Sequence, residues 1–116
     1  MEKLSQILWL ERELFDALLF KLEEQQLVLA SGRTRWFVRA AREVEQVLGT
    51  LRQTEILRSI AAEEAAAAIG LAHNPSLRAL AGSVDEPWCS LLLDHHEAFG
   101  AVTAGIMQPS LREFLR

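Results

Sequence analysis

The stretch from Arg35 to Ile69 runs about nine turns of helix without a proline, its apolar residues recurring at three- and four-residue spacings. Two further blocks carry the same period, and no segment shows the strict alternation of a half-buried strand. Helices this long in a chain of 116 residues cannot wrap into a globule, so they must lie side by side. An all-α, elongated, antiparallel three-helix bundle is the expected fold: a long helical hairpin, a short helical turn and a third helix. Such a protein works by presenting helical surface.

The bulk numbers narrow what that surface meets. Half of the residues are apolar, enough for a real core in one domain spanning 1–116. A net charge of −4 and a pI near 5.4 argue against a nucleic-acid binder, which needs a net basic face. A single cysteine, Cys89, excludes an internal disulfide and fits a reducing compartment. The N-terminus lacks a basic stretch followed by an apolar run, and no stretch is long and apolar enough to span a bilayer. A cytoplasmic location without stable membrane insertion is the expectation.

The first helix is expected over about 4–29. Leu4, Leu8, Phe15, Leu18, Leu22 and Leu29 form its main stripe, broken by Glu11 and Gln25. Trp9, Phe20 and Leu27 form a thinner second stripe, and a helix apolar on two sides packs against more than one neighbour. Gly32 suits the left-handed position that ends a helix. The second helix, 34–69, opens with Thr34 as the expected cap. Its stripe runs from Phe37 to Leu51, then meets Thr54, Glu55 and Arg58, while Ile56, Leu57 and Ile60 fall on a rotated face. Either the buried seam shifts around the helix or a polar pair sits in it, with Glu55 and Arg58 placed to neutralise each other. Ser76 caps a short helix over 76–81. Asp85, Glu86 and Pro87 suit the start of a third helix over 86–107, which aligns Trp88, Leu92, His95, Phe99, Val102 and Ile106. Residues 108–116 form a tail.

Chemistry-bearing residues are sparse. Asp94, His95, His96 and Glu97 are adjacent on a helix, where neighbours point about 100° apart, so they cannot converge on one ion. No zinc or di-iron helix motif is present, and no metal or cofactor is expected. His95 reads as a polar member of the core. Cys89 lacks a partner that would mark a nucleophile and reads as a small half-buried hydrophobe. The basic cluster Arg33, Arg35, Arg39 and Arg42, interleaved with Trp36 and Phe37, resembles a stacking surface for single strands. Arg39 and Arg42 fall on the solvent side of the stripe, with Glu23 and Glu24 of the first helix opposite, so the cluster reads as a solvated face with local ion pairs. Nothing assembles into a catalytic constellation, and no enzymatic activity is expected. The Trp9, Phe20, Leu27 stripe is either buried against the third helix or kept for a partner.

In their order and spacing, these blocks resemble the FlgN family of flagellar export chaperones over roughly residues 4–106. The resemblance rests on the long hairpin, on Glu55-Ile56-Leu57-Arg58 near the end of its second helix, on Ser76-Leu77-Arg78-Ala79-Leu80-Ala81, and on Glu86-Pro87-Trp88 with Leu91-Leu92. It implies a type III export chaperone whose clients are hook–filament junction proteins of the FlgK and FlgL type, with the export apparatus as a further partner. It also places client binding on the third helix at Leu92, Phe99, Val102 and Ile106. Leu111 and Phe114 of the tail are placed to cover the same groove in the free protein, and Trp9 and Phe20 complete the expected partner-binding set. Two departures stand out. Gly100, Gly105 and Pro109 interrupt the third helix, and the chain has no tyrosine where members commonly carry one tied to docking on the export gate. The alternative from another class is a non-enzymatic helical adaptor whose extra apolar stripe makes a homodimer.

Overall fold

The computed structural model describes residues 1–71 and 75–106. Four helices make up the described regular structure: α1 (Glu2–Ala30), α2 (Thr34–Ala68), α3 (Leu77–Ala81) and α4 (Trp88–Ile106). There is no strand among the described residues. The fold is therefore all-α, and it is a rod, 55 by 21 by 21 Å.

The two long helices of the hairpin each give way to a glycine in the left-handed region. Gly32 takes φ 74° and Gly70 φ 76°, left-handed values that cost a residue with a Cβ about 1 kcal/mol or more. Gly32 turns the chain through the hairpin, so α2 returns antiparallel to α1. Thr34 does not cap α2, because the non-helical residue is Arg33 and no side chain caps that end; the tip is open enough for water to satisfy the first amides. Ser76 does cap α3, its hydroxyl accepting from the Ala79 amide at 3.0 Å. At the start of α4 the Glu86 carboxylate accepts from the Ser90 amide and hydroxyl at 3.3 and 2.8 Å. That places negative charge at the positive end of the helix.

Contacts between α1 and α4 rise in step along both helices, from Trp9 on His95 to Phe15 on Phe99 and Leu19 on Gly105. The two helices therefore run parallel, and α4 packs chiefly on α1. Two cores result. Leu4, Leu8, Ala61, Ala65, Leu80 and Leu92 fill the closed end, where the alanines of α2 let its neighbours approach closely. Leu18, Leu22, Val44, Leu51 and Ile106 fill the middle. Past the level of Ile106, α1 and α2 are the only described helices of the rod.

A polar layer separates the two cores. Glu11 is fully buried, and Arg58 donates to its two oxygens at 2.9 and 3.5 Å. Arg58 is therefore paired across the hairpin rather than with Glu55, as helical spacing suggested. Buried Thr54 donates back to the Thr50 carbonyl at 2.8 Å. With this layer in the seam, α2 keeps one face toward α1 along its length, and Ile56, Leu57 and Ile60 are left exposed.

Candidate partner surface

His95 is the polar centre of the α1–α4 contact. It is fully buried, set edge-on to Trp9 with centroids 4.8 Å apart and stacked on Phe99 at 6.4 Å. The Arg12 guanidinium lies 3.4 Å from Nδ1. Arginine can only donate, so Nδ1 accepts and the neutral ring carries its proton on Nε2, which finds no partner among the described residues. Burial first, then the charge on Arg12, hold the His95 pKa below 6.5, against a weaker upward pull from Asp94.

A depressed histidine pKa means that the unfolded chain binds the proton first. Stability is then lost as pH falls below 6.5 toward the folded value. Replacing His95 by leucine is expected to flatten that slope, measured as urea midpoints at mildly acidic and neutral pH. Parallel slopes in the two proteins would contradict the assignment.

On its outer side the α1–α4 contact leaves a shallow groove lined by Arg12, Asp16, Ala98 and Val102. An ion pair from Arg12 to Asp94 crosses it at 3.1 Å. Trp9, Asp16, Phe20 and Leu27 recur at seven- and four-residue steps, so they share the side of α1 that borders this groove. Trp9 is 46% exposed and Phe20 59% exposed. Arg12 stacks over the Trp9 ring at 4.3 Å, which holds the ring in place with one face on the bundle. An aromatic edge beside a groove lined by Arg12 and Asp16 as well as Ala98 and Val102 is suited to an amphipathic helix.

The expected partner-binding residues thus divide. Trp9, Phe20 and Val102 border the groove. Leu92 and Ile106, at 1% and 6% exposure, belong to the two cores: they lie on the side of α4 that faces the hairpin, so seating α4 removes them from any outside contact. Phe99 is half-buried, edge-on to Phe15 at 5.8 Å and beneath Arg58 at 5.4 Å. Leu111 and Phe114, and the proposed cover they make, lie outside the described residues.

A second apolar surface, with Leu10, Ile56, Leu57 and Ile60 exposed on the hairpin, went unassigned from the sequence. The signal was there in Ile7, Leu10 and Leu14 on α1. The basic cluster is solvated: Arg35 stacks on Trp36 at 4.7 Å and Arg39 reaches Glu43 at 4.0 Å. No group of three or more His, Cys, Asp or Glu that could hold a metal ion occurs among the described residues. Nor is any described helix long and apolar enough to cross a membrane.

Comparison with protein-family models matches the family described as FlgN protein over residues 1–106. Neither the curated proteins nor the solved structures contain a match.

Proposed function

The chain belongs to the FlgN family of flagellar export chaperones, and from that premise we propose that it holds the helical C-terminal segments of FlgK- and FlgL-type hook–filament junction proteins before they assemble. The protein acts in the cytoplasm, on the type III export route, without chemistry of its own. The observation that carries this reading is the exposed aromatic edge of Trp9 and Phe20 beside the α1–α4 groove. An amphipathic client helix laid there covers both rings and Val102, and the Arg12–Asp94 pair at the rim selects for complementary polar groups rather than adding much affinity. The same covering hides the client's own apolar face, which is what a segment prone to premature association requires. The export apparatus is the second partner of this reading.

Co-expression with the C-terminal region of a FlgK-type protein, followed by size exclusion with light scattering, tests it. A stable heterocomplex is expected, and Phe20→Asp should weaken it by about thirtyfold, the loss of one interface anchor of about 2 kcal/mol. Because Phe20 is exposed, the variant should keep its helical signal. A chain that ignores the segment, whatever its own oligomeric state, contradicts the proposal and leaves the self-associating adaptor.

A further inference from the structure

α1 carries three adjacent stripes, and its own chain covers two of them. Arg12, Phe15 and Leu19 meet α4, with Trp9 at the exposed edge of that contact; Leu4, Leu8, Glu11, Leu18 and Leu22 form the buried seam along α2. The third stripe is Lys3, Ile7, Leu10, Leu14, Ala17 and Lys21, alternating four- and three-residue steps, the pattern of a helix-packing seam. α2 lays a matching row beside it: Glu43, Thr50, Gln53, Leu57, Ile60 and Glu64. The rows are pinned together at their ends by Lys3–Glu64 at 3.7 Å and Lys21–Glu43 at 3.2 Å. Between those ion pairs the face is open, apolar along the α1 row at Ile7, Leu10, Leu14 and Ala17 and on α2 at Leu57 and Ile60, with Gln46, Thr50 and Gln53 continuing the α2 row toward Glu43. Leu57 is 53% exposed and Ile56 at its edge 63% exposed.

We propose that a second copy of this chain covers this face, the two hairpins forming a four-helix bundle with its twofold axis along the bundle and each α4 on the outside. The order of charges selects both the occupant and the axis. The α1 row is basic at both ends and the α2 row acidic at both ends. With the axis along the bundle, α1 of one copy lies against α2 of the other at the same height. Lysine then faces glutamate at each end, and the four charges alternate around the bundle. With the axis across the helices, α1 would lie against α1 and Lys3 would meet Lys21.

The ion pairs within the chain also set the heights of other residues. On that scale Arg42 comes level with Glu24 of the second copy, Gly49 with Ala17 and Ile56 with Leu10. A guanidinium meets a carboxylate, small residues meet where the backbones approach, and apolar meets apolar. The strip from Lys3 to Glu24 is about 30 Å long and as wide as the 21 Å rod. That is of the order of the roughly 800 Å² per partner in a standard interface.

Sedimentation equilibrium on the isolated chain across micromolar concentrations tests the proposal. The expected mass is about twice the 13.0 kDa of one chain. Leu57→Asp should return a monomer with unchanged helical content. Should that variant not fold, Arg42→Glu touches only an exposed charge; it should weaken dimerisation about tenfold, and adding Glu24→Arg should restore it. In a Cys89→Ala background, a Leu10→Cys chain mixed with an Ile56→Cys chain should form a disulfide that neither forms alone.

A monomer at every concentration overturns the proposal, as does a dimer indifferent to both Leu57→Asp and Arg42→Glu. A monomer that loses the junction-protein segment through Leu57→Asp overturns it too, assigning the face to the client. Client binding through Phe20 is read independently, so the two proposals fail separately.

Discussion

Replacing Arg58 by methionine is expected to destabilise the protein by about 3 kcal/mol near neutral pH. Arg58 is the hydrogen-bond partner of the buried Glu11 carboxylate, and its guanidinium also lies over Phe99, so one side chain ties α2 to both α1 and α4. Burial raises the Glu11 pKa above 4.5, opposed by the charge and hydrogen bond of Arg58 and reinforced by nearby Glu55. A carboxyl with a raised folded pKa keeps its proton to higher pH than the unfolded chain does. Its contribution is therefore most favourable at low pH, and stability is lost as pH rises from 4.5 through the folded value. Without Arg58 that value rises further. The deficit of the variant should be largest at neutral pH and shrink as pH approaches 4.5. Converting Glu11 to leucine as well should recover most of the loss, because no charge is then left in the layer. Urea midpoints at both pH values decide it. A loss under about 1 kcal/mol, or one independent of pH, would mean that water reaches Glu11.

Leu92→Ala should cost about 3 kcal/mol through the cavity it leaves. Leu92 packs with Leu4, Leu8, Leu80 and the alanines of α2; the alanines are too short to close the gap. Amide exchange in α4 should quicken more than in α1, since Leu92 anchors α4 near its start. Its neighbour Leu93 is exposed, and Leu93→Ala should change stability by less than about 0.5 kcal/mol. If Leu92→Ala instead kept full stability and lost the client, Leu92 would be a contact residue and α4 would have to move on binding.

The pair Leu92 and Leu93 also marks how far the sequence could be read. Periodicity made the all-α class and the elongated form legible, and the interruption at Gly32 marked the hairpin turn. His95 in the apolar row of α4 was legible as a core residue for the same reason. Periodicity identifies a face but not the direction it looks. Leu92, Phe99, Val102 and Ile106 share one side of α4, and only the packing on α1 turns Leu92 and Ile106 inward while Val102 reaches the groove. Pairing across helices was hidden for a related reason. Glu11 looked like a break in a stripe, and its partner lies 47 residues away, whereas helical spacing reveals only neighbours three or four apart. Ile7, Leu10 and Leu14 follow helical spacing as well, but that this third stripe of α1 stays open required knowing that α4 covers the other side of the hairpin.

Trp9 itself offers the most direct test that this rod keeps apolar helix surface for another chain. With Trp36 and Trp88 changed to phenylalanine, Trp9 is the remaining indole. Titrating the helical C-terminal segment of a FlgK-type protein should shift its emission to the blue and saturate, because a ring now 46% exposed becomes covered. A saturable complex that leaves the Trp9 emission unchanged would contradict the groove assignment, and no complex at all would contradict the account.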